Sequence, residues 1–198
     1  MKWVRITNNF ISISGTPMNH ESDGLVMLKE VYKEKIGDYP KFYKMDPLSQ
    51  LGFVASELLL QQESPRKMDV ESRAVILFNK SSSLCDDKKY QSTIQDENEY
   101  FPSPAVFVYT LPNIVTGEIS IRNKYYGETL FCVLSGFNAH EIISLANEAF
   151  LDEMTHDILT GWVECDISGN LDALLMLVDK NDADFNEEKI TKLFNLNT

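Results

Sequence analysis

The sequence has little cysteine, little histidine and few basic side chains, and each shortage removes a class of function. Its three cysteines, Cys85, Cys132 and Cys165, are odd in number, widely spaced and free of any C-x-x-C pair. Neither a disulfide framework nor a four-ligand zinc site is expected from them, and thiols packed as small hydrophobes are. Only three histidines occur, His20, His140 and His156. His140 and His156 could share a metal ion, but no third ligand accompanies them, so no metal is expected. Lys and Arg number 18 against 30 Asp and Glu, a net charge of −12, which opposes binding to nucleic-acid phosphates. No apolar run approaches the roughly 18–20 residues of a membrane span. The opening Met1-Lys2-Trp3-Val4-Arg5 leads into no apolar targeting stretch, so a cytoplasmic protein without a membrane span is expected. A Gly-rich phosphate loop is missing, and Asp86-Asp87 and Asp182/Asp184 lack the twelve-residue spacing and glycine of a calcium loop. No cofactor is expected.

What is present is an ordinary globular composition, 43% apolar and 24% charged, with no repeat, low-complexity tract or linker. One domain over 1–198 is the expectation. The charge is uneven: residues 1–129 carry 15 basic and 17 acidic side chains (−2), residues 130–198 carry 3 and 13 (−10). An anionic partner would be received by the earlier part. There Lys29, Lys33, Lys35, Lys41 and Lys44 form the best basic patch, diluted by Glu30, Glu34 and Asp38.

Asn9–Ser14 alternates apolar and polar residues and reads as the first strand. Residues 16–45 read as loop with short helical pieces. Asp46-Pro47 opens a helix, Asp as cap and Pro at the first helical position, and its apolar residues run nearly all round, so it should be buried. Ala74–Phe78 is an unbroken apolar run, the pattern of a strand covered on both faces. Asp86–Gln95 reads as a surface helix. Ser103-Pro104 repeats the cap-and-proline start, with Ala105–Leu111 behind it until Pro112 breaks the helix, which resumes over Asn113–Asn123. Thr129–Leu134 reads as another buried strand, followed by a helix from about Asn138 to Met154. Asp157–Glu164 and Leu171–Val178 flank the turn Ser168-Gly169-Asn170 as two strands. A last helix starts at Asn186, with Phe185 and Ile190 placed as a staple. An α/β three-layer architecture follows.

Ser103-Pro104, then Tyr109-Thr110-Leu111-Pro112-Asn113, Gly117-Glu118 and Gly127 fall in an order and spacing that resembles the N-terminal half of a β-ketoacyl synthase, a thiolase-like protein. Lys41–Glu57 is similar to the basic, Met-containing helix start of that family, Ala74–Leu84 to its strand and Ser-rich turn, and Gly161-Trp162-Val163-Glu164 to its Gly-Gly-x-Glu, so the likeness covers roughly residues 9–166. The resemblance implies a mixed, mostly parallel sheet with helices on both faces. It also implies a position for the acyl-accepting cysteine, the tenth residue counted from Gly127, and this is Gly136. Glycine cannot be acylated. Cys132 lies four residues too early, inside a strand where burial should raise its pKa. Cys165 has acidic neighbours. The family's two catalytic histidines belong to a C-terminal half that this sequence does not include.

The resemblance therefore implies a non-catalytic synthase-like subunit in fatty-acid- or polyketide-type biosynthesis, with aryl-polyene pigments one such route. The alternatives are a 3-oxoacyl-acyl-carrier-protein synthase with a non-standard nucleophile or partner-supplied residues, and an acyl- or carrier-binding module. Expected partners are a second copy or a full-length ketoacyl synthase, joined through Thr129, Leu130, Phe131, Cys132, Val133 and Leu134, and an acidic acyl carrier protein docking on the five lysines. The Asp46 helix, if half-solvated in a lone half, would add a second apolar interface.

Overall fold

The computed structural model describes residues 1–96, 98 and 100–196. Seven strands form one sheet in the order β3-β2-β1-β7-β6-β4-β5. They are β1 (Lys2–Thr7), β2 (Phe10–Ile13), β3 (Thr16–Pro17), β4 (Arg73–Asn79), β5 (Thr129–Val133), β6 (Asp157–Cys165) and β7 (Leu171–Asp179). Only β4–β5 and β4–β6 pair in parallel; the β1–β2–β3 meander, the β6–β7 hairpin and the β1–β7 contact are antiparallel. The sheet is mixed as expected, but mostly antiparallel rather than mostly parallel. Tight turns can only join antiparallel neighbours, β1 adds to β7 antiparallel from the far end of the chain, and two crossovers alone supply the parallel pairs.

The first strand begins at Lys2, seven residues before the expected one. Arg5 obscured it by placing a charge in the middle of the run. The guanidinium is fully buried, paired with Asp172, bonded to the Ala173 carbonyl at 3.1 Å and laid over the Phe194 ring at 4.9 Å. Residues 16–45 also hold more order than expected. Helix α1 (Gly24–Lys35) buries Met27, Leu28, Val31 and Tyr32, and a 3₁₀ turn covers Pro40–Lys44.

Helix α2 (Pro47–Leu60) starts where Asp46 accepts the Leu48 and Ser49 N–H groups at 3.0 and 3.1 Å. Every residue from Leu48 to Leu60 is buried. Its cover comes from α1, the 3₁₀ turn, the sheet and α5 (Ile114–Asn123). The expected half-solvated face of this helix does not exist, because the chain's own helices close over it. Helices α3 (Leu84–Gln91) and α4 (Pro104–Val108) precede α5; α4 has its Ser103 cap but ends four residues before Pro112, in keeping with the clash a proline imposes on helical residues before it. Helices α6 (Ala139–Ala149) and α7 (Glu187–Phe194) cover the other sheet face, packed on Ile76, Phe78, Trp162, Leu174 and Met176. Among the described residues no helix is long and apolar enough to cross a membrane.

Two of the glycines in the resemblance are required by backbone contact. A Cβ at Gly161 would lie 2.0 Å from the Leu174 carbonyl oxygen, at φ +141°, and one at Gly127 would lie 2.3 Å from that of Arg73. Gly161 lets β7 approach β6, and Gly127 lets the chain entering β5 pass close to β4.

Candidate functional site

The carboxyl ends of the parallel strands β4, β5 and β6 meet at one edge of the sheet. Glu164, the last residue but one of β6, is buried and its carboxylate accepts the Lys80 and Ser81 N–H groups at 2.8 and 3.2 Å. Asn79 closes the same turn, its side chain exchanging hydrogen bonds with the Ser82 backbone at 2.8 and 3.0 Å. Its carbonyl accepts the Leu134 N–H at 2.7 Å. The Glu of the Gly-x-x-Glu stretch thus acts as an anchor for the loop after β4.

Gly136 lies in the turn from β5 into α6, two residues before the Asn138 cap, whose side chain accepts the Glu141 N–H at 3.2 Å. Phe137 fixes this turn by stacking on Phe194, with centroids 3.7 Å apart. A Cβ at Gly136 would meet nothing within 4 Å. The backbone therefore provides a strand-to-helix turn with room for a nucleophile, and no side chain occupies it.

No thiol substitutes. Cys132 sits half-buried in β5, and burial pushes its thiol up. Cys165 is buried at the end of β6 in hydrogen-bond contact with Cys85; desolvation first, then the neighbouring thiol, hold it far above the ordinary range. Desolvation also raises Cys85. His140, in the first turn of α6, is exposed and its Nδ1 lies 2.9 Å from Glu187, which raises its pKa. His156 follows α6 and precedes β6, so the two imidazoles belong to opposite ends of that helix. The His20 Nδ1 meets the Ser22 carbonyl at 2.9 Å.

Strand β5 is an outer strand, paired on one side with β4 and, among the described residues, with nothing on the other. Its residues are half-buried or exposed, not buried as its apolar sequence implied. Leu130, Cys132 and Leu134 lean on the α6 side and Phe131 on the α2 side, while Val133 is 52% exposed. Preceding it in the chain, α4 has no buried residue at all, and Phe101, Phe107, Val108 and Leu111 face outward.

The five lysines are all exposed, Lys29, Lys33 and Lys35 on α1 and Lys41 and Lys44 on the 3₁₀ turn. Lys35 pairs with Glu34 and Lys41 with the buried Glu118, at 2.6 and 2.7 Å. Behind Lys44 lies a cavity of about 300 Å³ bordered by Asp46, Asp86, Lys89, Val106 and Tyr109. Burial is the first cause that lifts all three of its titrating acids: Asp46 to about 6, Asp86 above its ordinary value, and Tyr109 to about 12. The sequence offered no sign of this group, because its burial depends on α3 and α4 meeting the start of α2.

A raised folded-state pKa at Asp46 means that its contribution favours the folded state at low pH and is lost as pH rises from about 4 through about 6. Asp46→Asn keeps one of the two accepted N–H groups and removes the titration. Between pH 4 and pH 7 the parent should therefore lose up to about 3 kcal/mol more stability than the variant does. Denaturant unfolding at the two pH values measures it.

The chain matches no protein-family model and no curated protein. Among solved structures it is similar to the ishigamide ketosynthase/chain length factor, with TM-score 0.62 and 19% identity over 76% of this chain. It spans about half, 48%, of that protein's length. A ketosynthase (ApeO) in complex with its chain length factor (ApeC) from Xenorhabdus doucetiae gives TM-score 0.57 and 11% identity, over 92% of this chain and 79% of the other. A type II PKS acyl-carrier protein in complex with its ketosynthase bound to the hexaketide (AntDE:AntF) gives 0.57 and 14%, over 91% and 61%. At these identities the likeness is one of backbone, and the chain has the thiolase-like fold of ketosynthase and chain length factor proteins.

Proposed function

We propose that the chain is a non-catalytic ketosynthase-like subunit that completes a heterodimer with a catalytic ketosynthase, in polyketide- or fatty-acid-type synthesis of which an aryl-polyene route is one form. The observation that carries this reading is the β5–α6 turn: a ketosynthase-type backbone with open space at Gly136 and no activated thiol beside it. The unpaired outer edge of β5 supports the second half of the proposal, since such an edge is a template for another strand. An interface built there should bury at least about 1,000 Å². Co-expression with a catalytic ketosynthase from the same organism, followed by affinity purification of one member, tests the reading. A one-to-one complex is expected, and recovery of each chain alone overturns it.

The five lysines are the proposed docking surface for an acidic acyl carrier protein. Affinity for the carrier should then fall steeply between 50 and 300 mM salt, because exposed charges are screened over about 10 Å at 0.1 M. Reversal of Lys33, Lys41 and Lys44 to Glu should abolish the carrier's NMR perturbations. Perturbations that persist would move the docking site elsewhere.

A further inference from the structure

Cys85 and Cys165 are 80 residues apart in sequence and meet in the fold. Alternation along β6 turns Val163 and Cys165 to the α2 side of the sheet and Trp162 to the α6 side. The chain leaving β4 is led back over that end of β6. Glu164 holds the Lys80 and Ser81 amides, and the Ser83 hydroxyl donates to the Thr110 carbonyl. These bonds fix the start of α3, whose first-turn Cys85 packs on the same core as Cys165. The two thiols share a hydrogen bond there. Cys132, the third cysteine, packs on the opposite face of the sheet and cannot join them. Among the described residues no third ligating side chain is placed to make the pair a metal site.

Exposure separates their roles. Cys165 is 2% exposed, whereas Cys85 is only half-buried. Desolvation is the first cause that keeps both thiols protonated, more so at Cys165. Of the charged groups facing the pair, Asp46, Asp86 and Asp166 add to it and Lys89 opposes it. Cys85 is therefore the thiol that meets an oxidant first, and Cys165 the neighbour that can close a bond.

We propose that Cys85 and Cys165 form a redox-modification site, which a hydroperoxide converts into an intrachain disulfide. The O–O bond of the hydroperoxide breaks as its terminal oxygen bonds to the Cys85 sulfur, giving a sulfenic acid. The thiol proton leaves with the departing oxygen, as an alcohol or, from hydrogen peroxide, as water. The Cys165 sulfur then displaces the hydroxyl: the S–S bond forms, the S–O bond breaks, and water carries off the Cys165 proton. The two thiols together lose two electrons, and the hydroperoxide takes them up. The product ties the start of α3 to the end of β6 and closes a long loop, which restricts the unfolded chain. This site uses neither β5 nor the five lysines, so it stands apart from the proposed subunit role.

The test is exposure of the folded protein to hydrogen peroxide, followed by denaturation, maleimide labelling and intact-mass measurement. Untreated protein should take three labels, one per cysteine. Oxidised protein should take one, placed on Cys132 by peptide mapping, with the mass of two hydrogens lost. Dithiothreitol should restore all three. The midpoint of thermal unfolding should rise by roughly 10 °C on oxidation, the entropic worth of closing so long a loop. Cys165→Ala should remove the cross-link and leave a Cys85 sulfenic acid that dimedone captures, while Cys132→Ala should cross-link as the parent does. Three labels after peroxide overturn the proposal. So does a loss of labelling that dithiothreitol does not reverse, the mark of separate thiols oxidised past the sulfenic acid. A disulfide that contains Cys132, within or between chains, overturns it as well. Peptide mapping of the unmutated protein decides the matter even where Cys165→Ala fails to fold.

Discussion

Arginine at position 133 is expected to leave the protein folded and to take its assemblies apart. Val133 ends β5, is 52% exposed, and contributes little to either core. In a joined sheet the same residue would sit inside the interface, where an unpaired charge costs about 3 kcal/mol or more, on the order of 100-fold in affinity. Without a ketosynthase, the protein should self-associate through this edge at micromolar concentration. Light scattering should then return a mass above the 22.6 kDa of the single chain, and the variant should return 22.6 kDa. A wild-type mass of 22.6 kDa refutes self-association. An unchanged mass for the variant removes β5 from the interface.

Acyl-CoA and acyl-carrier donors are expected to leave no covalent adduct on this chain, and Cys132→Ala is expected to change nothing. Acyl transfer to a thiol needs the thiolate. Burial raises all three cysteines here, Cys165 the most; Cys85 lies in the first turn of α3 but is engaged with Cys165. Gly136, in the turn that leads into α6, faces open space and has no side chain. His140 is held by Glu187 on the outer face of α6 and α7, away from any thiol's service as a base. Intact-mass measurement after incubation at neutral pH reads the outcome directly.

The sequence carried the parts of the fold whose signals are local. Asp46-Pro47 and Ser103-Pro104 each announced a helix start through a side-chain cap and a proline that needs no donor, and both are present. Ala74–Phe78 read as a doubly covered strand and is β4, flanked by two parallel partners. What failed was whatever depended on distant partners. Arg5 hid β1 because its charge is neutralised by Asp172, 167 residues away. The stripe of α1 is narrow, four buried residues interleaved with five charged ones, so the segment resembled loop. Thr129–Leu134 is apolar enough for a central strand yet lies at the sheet's end, and strand order is not written in any one segment. For the same reason the self-coverage of α2 by α1 and α5 was invisible, and with it the correction to the expected half-solvated helix. The empty turn was legible because it needed only a count from Gly127. The buried acids Asp46 and Asp86 were not, since their environment is assembled from four separate segments.

The central claim is that this chain supports ketosynthase chemistry without performing it. Its most direct test is the intact-mass spectrum of the complex with a ketosynthase after exposure to an acyl donor. The account predicts a one-acyl mass shift on the ketosynthase and none on this chain. A stoichiometric shift on this chain that disappears in Cys132→Ala would contradict it.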